Sequence, residues 1–448
     1  MTFTFLGAYD PDYPRNAVIR KGLRLLGAPV DERRASRKLK FWARYPILFL
    51  KLLFKIPRPP YSAQPGNGRR PAGPRILFVP EFGQKDVPLA WFWGLLAAGK
   101  VVFDPLAARY ETKIVDWKRK PADSPSAWWN LQIDRAAFAG ADLVLADTAA
   151  HKAYYCRMYG LEPAKVEVLP LGYDDDVFRP WVGSTPMRAL EADSLVKDDL
   201  IDSVIKDDLV VADAADGVRS GQATEAGLGR VAEAGAGRRG ATEADRIPVR
   251  ASEDGPNSTF EVLFTGSFLP LHGTDVIIEA ARIVAGRDPS VRFRLIGSGQ
   301  TREAALRAVE GYGLRNVEFA GWRSLEDLPA MIAAADVSLG IFGRTEKAGR
   351  VVPHKLFQAM GMGMAVITAR TAAAEEFFVH REHLVFCDEP LAESLAAAVL
   401  ELKSDAALRE RIARNGQALV AKKYSARATA VRLMEIVDKH FSSPRAKK

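Results

Sequence analysis

Residues 261–296 read EVLFTGSFLPLHGTDVIIEAARIVAGRDPSVRFRLI, and this stretch predicts a strand, a helix and a second strand. The first strand is Glu261–Thr265, the helix is Asp275–Val284, and the second strand is Arg292–Ile296. Each predicted strand is a short apolar run, and each is followed by glycine. The alternation continues to Thr368, which predicts a parallel sheet covered by helices on both faces.

A similar block precedes this one. Its apolar, strand-like runs are Phe3–Ala8, Arg75–Pro80, Val101–Asp104, Asp142–Ala146 and Val166–Leu169, with helical patterns between them. The two blocks predict an α/β fold of two doubly wound, Rossmann-like domains that face a cleft. We place the N-terminal domain in residues 1–181, the C-terminal domain in residues 260–425, and a last helix, packing back on the N-terminal domain, in residues 426–448.

Residues 182–259 interrupt the pattern. They contain no aromatic residue, hold 15 Asp and Glu against 9 Lys and Arg, and repeat themselves as VKDDL and IKDDL. Such a composition cannot offset the entropy of an ordered chain, so it predicts a disordered, low-complexity insert with a loose helix near residues 190–211. A partner-binding segment is the alternative.

Composition limits the protein class. The chain has 448 residues, of which 48% are hydrophobic, and a formal charge of +8. Residues 1–75 hold 16 Lys and Arg against 4 Asp and Glu, so the basicity is local and disfavours a broad nucleic-acid-binding face. The two cysteines, Cys156 and Cys387, lie far apart and fit a reducing cytosol. We expect no signal peptide, because no basic region precedes the first apolar run. We expect no transmembrane helix, because the longest uncharged runs fall short of about 18 residues.

The basic segment 31–60 alternates nine cations with aromatic and aliphatic residues. Leu39, Trp42, Ile47, Leu50 and Phe54 recur at roughly helical spacing, interrupted by Pro46. A basic helix of this kind is typical of a membrane interface, where each cation near an anionic surface contributes about 1 kcal/mol. A core helix with a solvated face is the alternative.

Three turns carry candidate ligand-binding residues. Gly266 and Ser267 follow the first strand quoted above, and Gly297 follows the second; both turns would allow a phosphate to approach backbone N–H groups. Ordinary strand-to-helix turns are the alternative. The loop after the strand Val337–Ile341 carries four cations: Arg344, Lys347, Arg350 and Lys355. Four cations near one strand end suit a bound diphosphate, and an ordinary solvated loop is the alternative.

These residues resemble the GT-B-fold glycosyltransferases of the large retaining group called family 4 or group 1. The block Phe264–Gly273, with His272 and Gly273, matches the turn that binds the donor diphosphate in that family. The block Val352–Thr368, with Val352 and Gln358, matches its ribose- and diphosphate-binding motif. The family's two glutamates fall here on Arg350 and Gln358, and its arginine and lysine fall on Ser267 and His272.

The acceptor side is predicted at the strand ends of the N-terminal domain. Gly7 would allow close approach, Asp10 and Arg15 would bind hydroxyls or phosphate, and Asp104 would point into the cleft. Turn capping is the alternative for the carboxylates. The run Asp174–Asp176 is interpreted as a turn and cap and not as a metal site.

The resemblance implies a retaining, metal-independent glycosyltransferase without a cofactor, which uses a nucleotide-diphosphate sugar as co-substrate. Lys355, Arg350 and Asp104 are its predicted catalytic residues. The expected acceptor is lipid-linked or a polysaccharide, and the expected location is the cytoplasmic face of the plasma membrane, bound through segment 31–60 and without nucleic acid. Two alternatives are a nucleotide-sugar epimerase, which would need a carboxylate and histidine constellation in the cleft, and a non-catalytic scaffold, which the missing glutamates motivate.

Overall fold

A computed structural model describes residues 1–54, 74–180, 259–321 and 323–442. The predicted insert, except for Thr259, lies outside these ranges, as do residues 55–60 of the basic segment and the last six residues.

The N-terminal half contains one sheet of six parallel strands in the order β2-β1-β3-β4-β5-β6. The strands are β1 (Thr2–Gly7), β2 (Val30–Arg34), β3 (Arg75–Val79), β4 (Gly99–Phe103), β5 (Leu143–Ala146) and β6 (Val166–Val168). The strand order reverses between β1 and β3. A crevice for ligands therefore lies beyond the carboxyl ends of these two strands, as expected for doubly wound sheets.

Helices cover both faces of this sheet. They are α1 (Pro14–Leu25), α2 (Phe41–Phe54), α3 (Val87–Ala97), α4 (Pro125–Gly140) and α5 (Ala149–Tyr159), with a π-helical turn at Glu111–Asp116. Buried side chains of α2 to α5 form one apolar cluster with the sheet, and those of α1 form another on the opposite face. Pro46 lies inside α2, and the start of the basic segment forms β2.

The C-terminal half contains a second sheet of six parallel strands in the order β12-β11-β10-β7-β8-β9. The strands are β7 (Phe260–Thr265), β8 (Val291–Ile296), β9 (Val317–Ala320), β10 (Val337–Leu339), β11 (Ala365–Ala369) and β12 (Val385–Cys387). The order reverses between β7 and β10, which places the loops after these two strands at the second ligand crevice. The prediction of two doubly wound domains is confirmed.

The helices of this half alternate with its strands. They are α6 (Thr274–Ala285), α7 (Arg302–Tyr312), α8 (Leu328–Ala333), α9 (His354–Gly361), α10 (Ala372–Glu375), α11 (Leu391–Ser404), α12 (Ala406–Lys423) and α13 (Ala426–Ser442). The tail, predicted to be helical throughout, consists of the last three. No described helix is long and apolar enough to cross a membrane.

Helix α13 returns to the N-terminal half and packs against α1. Gly22 of α1 makes this contact possible, because a Cβ at that position would lie 1.9 Å from the Ala426 carbonyl oxygen. Leu433 and Val437 are fully buried in the same apolar cluster as β1. Next to this contact, the Tyr173 N–H donates to the Tyr424 carbonyl over 3.0 Å, so two chain segments run side by side between the halves.

Candidate active site

Two glycine turns meet at the carboxyl ends of β7 and β8. The Gly266 N–H donates to the Ile296 carbonyl over 2.9 Å. A Cβ at Gly297 would lie 1.9 Å from the Gly266 carbonyl oxygen, and one at Gly299 would lie 1.7 Å from that of Ser267. Gly297 also has a φ of 129° that favours glycine. The structure therefore brings the predicted residues Gly266, Ser267 and Gly297 together, with backbones in van der Waals contact.

Lys355 points to the same place from the first turn of α9. Its Nζ lies 3.9 Å from the centroid of the Phe264 ring and 3.4 Å from the Gly340 carbonyl oxygen. It also lies 3.0 Å from where a Cβ on Gly266 would be. Burial lowers the pKa of the Lys355 ammonium well below its usual value. Within the described ranges no carboxylate is within ion-pair distance of Lys355, which leaves a partly buried amino group facing the glycine turns without an acidic partner.

His272 lines the same site beside Lys355 and Gly266. Burial lowers the pKa of His272 well below its usual value, and the ammonium groups of Lys355 and Lys347 lower it further. The Nδ1 atom accepts a hydrogen bond from the Leu269 N–H over 3.2 Å, and the ring lies edge-on to Phe264. The other imidazole nitrogen, Nε2, remains for a ligand hydrogen bond or a packing contact.

Gly273 holds the loop after β7 against the loop after β10. It has a φ of 63°, and a Cβ there would lie 2.3 Å from the Phe342 carbonyl carbon. The Phe342 N–H donates to the His272 carbonyl over 3.0 Å, and the Gly343 N–H donates to the Leu271 carbonyl over 3.1 Å. The two loops that flank the strand-order reversal are thus locked together.

The other three cations of the loop have partners elsewhere. Arg344 forms an exposed bidentate ion pair with Glu389, and the shorter of its two hydrogen bonds, from Nε to Oε1, measures 2.9 Å. The buried Lys347 donates to the Thr112 hydroxyl over 2.9 Å. Of the four predicted cations, only Lys355 makes no hydrogen bond or ion pair with another side chain of the described residues.

Arg350 connects the two halves of the chain. Its guanidinium donates to Glu111 of the π-helical turn over 2.9 Å and to Glu346 over 3.0 Å, and it lies over the Tyr154 ring. The Thr148 hydroxyl donates to the Arg350 carbonyl over 2.6 Å. Arg350 is therefore oriented by the N-terminal half, and its charge is compensated by Glu111.

A buried carboxylate–histidine cluster lies behind Arg350, and sequence reasoning missed it. His151 contacts Asp147 through Nδ1 at 2.6 Å and Glu111 through Nε2 at 3.1 Å. Burial opposes the charged imidazolium, but the Asp147 and Glu111 carboxylates raise the pKa of His151 to about 9. Burial also opposes the charged Glu111, but His151, Lys347 and Arg350 lower the pKa of Glu111 to about 2.

This cluster was detectable in the sequence only in part. Its sequence signal was the i, i+4 spacing of Asp147 and His151 at the start of α5. Both ring nitrogens of His151 are occupied and the side chain is fully buried, which favours a role in holding the halves together. The first N–H groups of α5 support the same contact: those of Ala149 and Ala150 donate to Glu376 over 2.8 and 3.2 Å.

On the N-terminal side, Arg15 and Asp104 form a fully buried ion pair. The Arg15 Nε donates to Asp104 over 2.5 Å, and Nη2 donates to the Leu169 carbonyl over 3.2 Å. Burial raises the pKa of Asp104, although Arg15 partly opposes that shift. One carboxylate oxygen of Asp104 and one nitrogen of Arg15 are buried without a hydrogen bond in the described residues. The pair is compensated in charge and keeps spare hydrogen-bonding capacity.

Glu81 is a second residue that the sequence analysis did not identify. It lies two residues after the end of β3 and is buried close enough to Asp104 to feel its charge. Burial, followed by repulsion from Asp104, raises the pKa of Glu81 well above its usual value, and its Oε2 has no described partner. Burial of this kind favours the neutral form of a carboxyl group, and the neutral form can donate a hydrogen bond.

The remaining predicted residues have structural surroundings. A Cβ on Gly7, whose φ is 135°, would lie 2.8 Å from the Asp86 carboxylate. Asp10 accepts from the Asp12 N–H over 3.0 Å and faces Arg37 at 3.4 Å, in keeping with turn capping. In the C-terminal half, Val352 and Gln358 are both buried.

The acidic run Asp174–Asp176 forms contacts where the chain passes between the two halves. Lys21 pairs with Asp174 and with Asp176, and Asp175 accepts from the Ala426 N–H over 3.3 Å. Within the described ranges, no group of three His, Cys, Asp or Glu residues is arranged to hold a metal ion.

Comparison with known proteins extends this description. Residues 276–435 match the model of a glycosyl transferase-like family. Two lipopolysaccharide core biosynthesis glycosyltransferases of Rhizobium meliloti, LpsE and LpsD, are 28% and 27% identical over 180 and 191 residues. These alignments cover 40% and 42% of this chain. The chain spans about half the length of these relatives, 50% and 52%.

Two solved structures share the fold along nearly the whole chain. Anabaena Alr3699/HepE, in complex with UDP and glucose, has a TM-score of 0.58 at 16% identity and covers 98% of this chain and 99% of its own. A sucrose-phosphate synthase from Thermosynechococcus elongatus has a TM-score of 0.61 at 16% identity, and the alignment covers 99% of this chain and 100% of the synthase chain. These likenesses confirm the GT-B arrangement of the two sheets.

Proposed function

We propose a function from the premise that this chain has the GT-B fold and belongs through its C-terminal half to the group 1 glycosyltransferases. It transfers a sugar from a nucleotide-diphosphate sugar to a lipid-linked or polysaccharide acceptor in cell-envelope glycan synthesis. The C-terminal half holds the donor and the N-terminal half holds the acceptor. The names of the Rhizobium relatives support the cell-envelope role, and the UDP and glucose in the Anabaena structure support the class of donor.

The partly buried amino group of Lys355 carries this proposal. It faces the glycine turn at Gly266, lies at the first turn of α9, and has no described carboxylate partner. Partial burial without a counter-ion disfavours the charged form of Lys355, and an incoming diphosphate would provide that counter-ion. The N–H groups at the start of α9 would add to the positive potential at the same point.

In the proposed reaction Lys355 neutralises the charge that develops on the leaving diphosphate. Retention follows from attack on the face that the diphosphate leaves, with no side-chain nucleophile and no metal ion or cofactor. Arg350 and Asp104 act through their neighbours: Arg350 connects Lys355's loop to Glu111, and Asp104 fixes Arg15 beside the acceptor crevice. Both are positioning residues in this proposal. His272, Val352 and Gln358 line the donor site around Lys355.

The proposal also places the protein at the cytoplasmic face of the plasma membrane, attached through basic segment 31–60. That location would bring a lipid-linked acceptor to the N-terminal crevice near Gly7 and Glu81. Exclusion of water when donor and acceptor are both bound would limit hydrolysis of the donor.

The test measures nucleoside diphosphate release from UDP- and GDP-sugars, with and without a lipid and glycan extract as acceptor source. We expect release that depends on acceptor, and its loss in Lys355→Ala but not in Lys100→Ala, which changes an exposed lysine of β4. Release by Lys355→Ala at the wild-type rate would refute the role of Lys355. Epimerised free sugar without acceptor would support the epimerase instead, and no binding of any nucleotide sugar would support the scaffold.

A further inference from the structure

Helix α3 has an outer face that no described residue covers. Its sequence, VPLAWFWGLLA, contains no charged side chain. Val87, Leu89, Ala90 and Gly94 face the core, whereas Trp91 and Phe92 are about half exposed and Leu95 and Leu96 are 66% and 63% exposed. Surface helices of soluble domains normally carry charged residues on this side. Four large apolar side chains on one exposed face therefore point to a binding partner.

The neighbouring helix α2 extends this apolar face. Phe49 of α2 packs edge-on against Trp93 at 5.7 Å between ring centroids, and Phe92 lies 6.5 Å away. On the outer side of α2, Leu50 and Leu53 are nearly half exposed and Trp42 is 64% exposed. The exposed face of α2 and α3 is called the α2–α3 surface below.

The charges around the α2–α3 surface have one sign. Residues 35–54 include five cations and no carboxylate, and residues 87–99 include no charged residue. Lys38, Lys40 and Lys51 are exposed, and Lys51 reaches back to the Arg34 carbonyl. Tryptophan and leucine surrounded by lysine complement an anionic lipid surface, where apolar side chains enter the acyl region and cations remain with the headgroups.

The α2–α3 surface is tied to the acceptor crevice. Asp86, directly before α3, accepts from the Ala8 N–H over 2.9 Å, and Arg44 of α2 lies 3.4 Å from the same carboxylate. Both helices are thus anchored at the carboxyl end of β1, next to Gly7. A membrane in contact with α3 would lie close to that end of the sheet.

We infer that the outer face of α3, together with α2, inserts into an anionic lipid membrane and presents the crevice at Gly7 to lipid-linked molecules. This inference extends the proposed function, which assigns membrane attachment to segment 31–60 alone. It assigns the apolar part of the attachment to a helix outside that segment.

The test compares binding of full-length variants to phosphatidylcholine vesicles with and without phosphatidylglycerol, by sedimentation. The variant is Leu95→Glu with Leu96→Glu, and the matched control is Leu25→Glu, an exposed leucine of α1 on the opposite face of the sheet. We expect at least about tenfold weaker partitioning for the double variant only, since each leucine contributes apolar burial. Unchanged partitioning, or an equal loss in the control, would overturn the inference.

A second measurement separates insertion from misfolding and from a protein partner. Vesicles with brominated acyl chains should quench the tryptophan emission of the wild type, and Trp91→Phe should remove part of this quenching while binding persists. Trp117→Phe, near the C-terminal half, should leave quenching unchanged. Loss of self-association or of a protein complex in the double variant, with vesicle binding intact, would favour a protein interface instead. Nucleoside diphosphate binding should be equal in all variants, so failure of the membrane inference would leave the proposed transfer reaction standing.

Discussion

Replacing Lys355 by methionine should weaken donor binding and stabilise the free protein at the same time. Methionine has a similar length and keeps contact with the Phe264 ring, but it removes the partly buried charge. A hydrogen bond between charged groups contributes about 1.5–3 kcal/mol, so the affinity for a nucleoside diphosphate should fall about 10- to 150-fold. Removing a partly buried, poorly compensated amino group should increase the free energy of unfolding by about 0.5–2 kcal/mol.

The sign of the pH dependence follows from the lowered pKa of Lys355. At pH values between this lowered pKa and the usual lysine pKa, the unfolded chain binds more protons than the folded chain. The wild type therefore gains stability relative to Lys355→Met as the pH rises through that range. Donor binding has the opposite trend, because the diphosphate favours the charged ammonium. Binding should therefore take up a proton and weaken as pH rises.

Isothermal titration calorimetry with UDP and GDP, in two buffers of different ionisation enthalpy, measures the affinity and the proton uptake. Thermal unfolding without ligand measures the stability, and Lys100→Met is the control for loss of an exposed lysine charge. Wild-type affinity in Lys355→Met, or a lower unfolding midpoint than the wild type, would show that Lys355 is not the counter-charge of a diphosphate.

Two further predictions concern the contact between the halves. Arg350→Ala should lower the free energy of unfolding by about 1–3 kcal/mol, because its partner Glu111 is fully buried. Arg344→Ala should change the free energy of unfolding little, because its ion pair with Glu389 is exposed. Chemical denaturation measures both variants, and equal effects would contradict this assignment. The stabilisation from charged His151 should be complete below its unfolded pKa of 6.5 and be lost as pH rises through about 9; a stability difference between wild type and His151→Gln that stays constant over that range would contradict it.

Much of the fold was predictable because hydrophobic patterning dominates it. The strands β7 and β8 were predicted to within one residue, since each is a short apolar run that is followed by glycine. The edge strand β2 was missed because its sequence, VDERR, is charged. An edge strand has one unpaired side and tolerates such residues, so burial leaves no pattern there to read.

The candidate site was predictable only where the residues lie in one local motif. Gly266, Ser267, His272 and Gly273 come from a single turn, and that turn does line the site with Lys355. The partner of Arg350, Glu111, is 239 positions away in a π-helical turn that has no sequence signature. Glu81 was missed for a related reason: its importance depends on burial beside Asp104, which comes from a different strand.

The side-by-side chain segments at Tyr173 and Tyr424 have a mechanical consequence. Because α13 belongs to the N-terminal half, the polypeptide passes between the halves twice, and backbone hydrogen bonding joins the two passages. A single linker would allow twisting in all directions, whereas a paired linker acts as a hinge with one preferred axis. We expect rotation about that axis to be the softest motion of the molecule. Deleting α13 would free the second passage and broaden the distance between spin labels on the two halves.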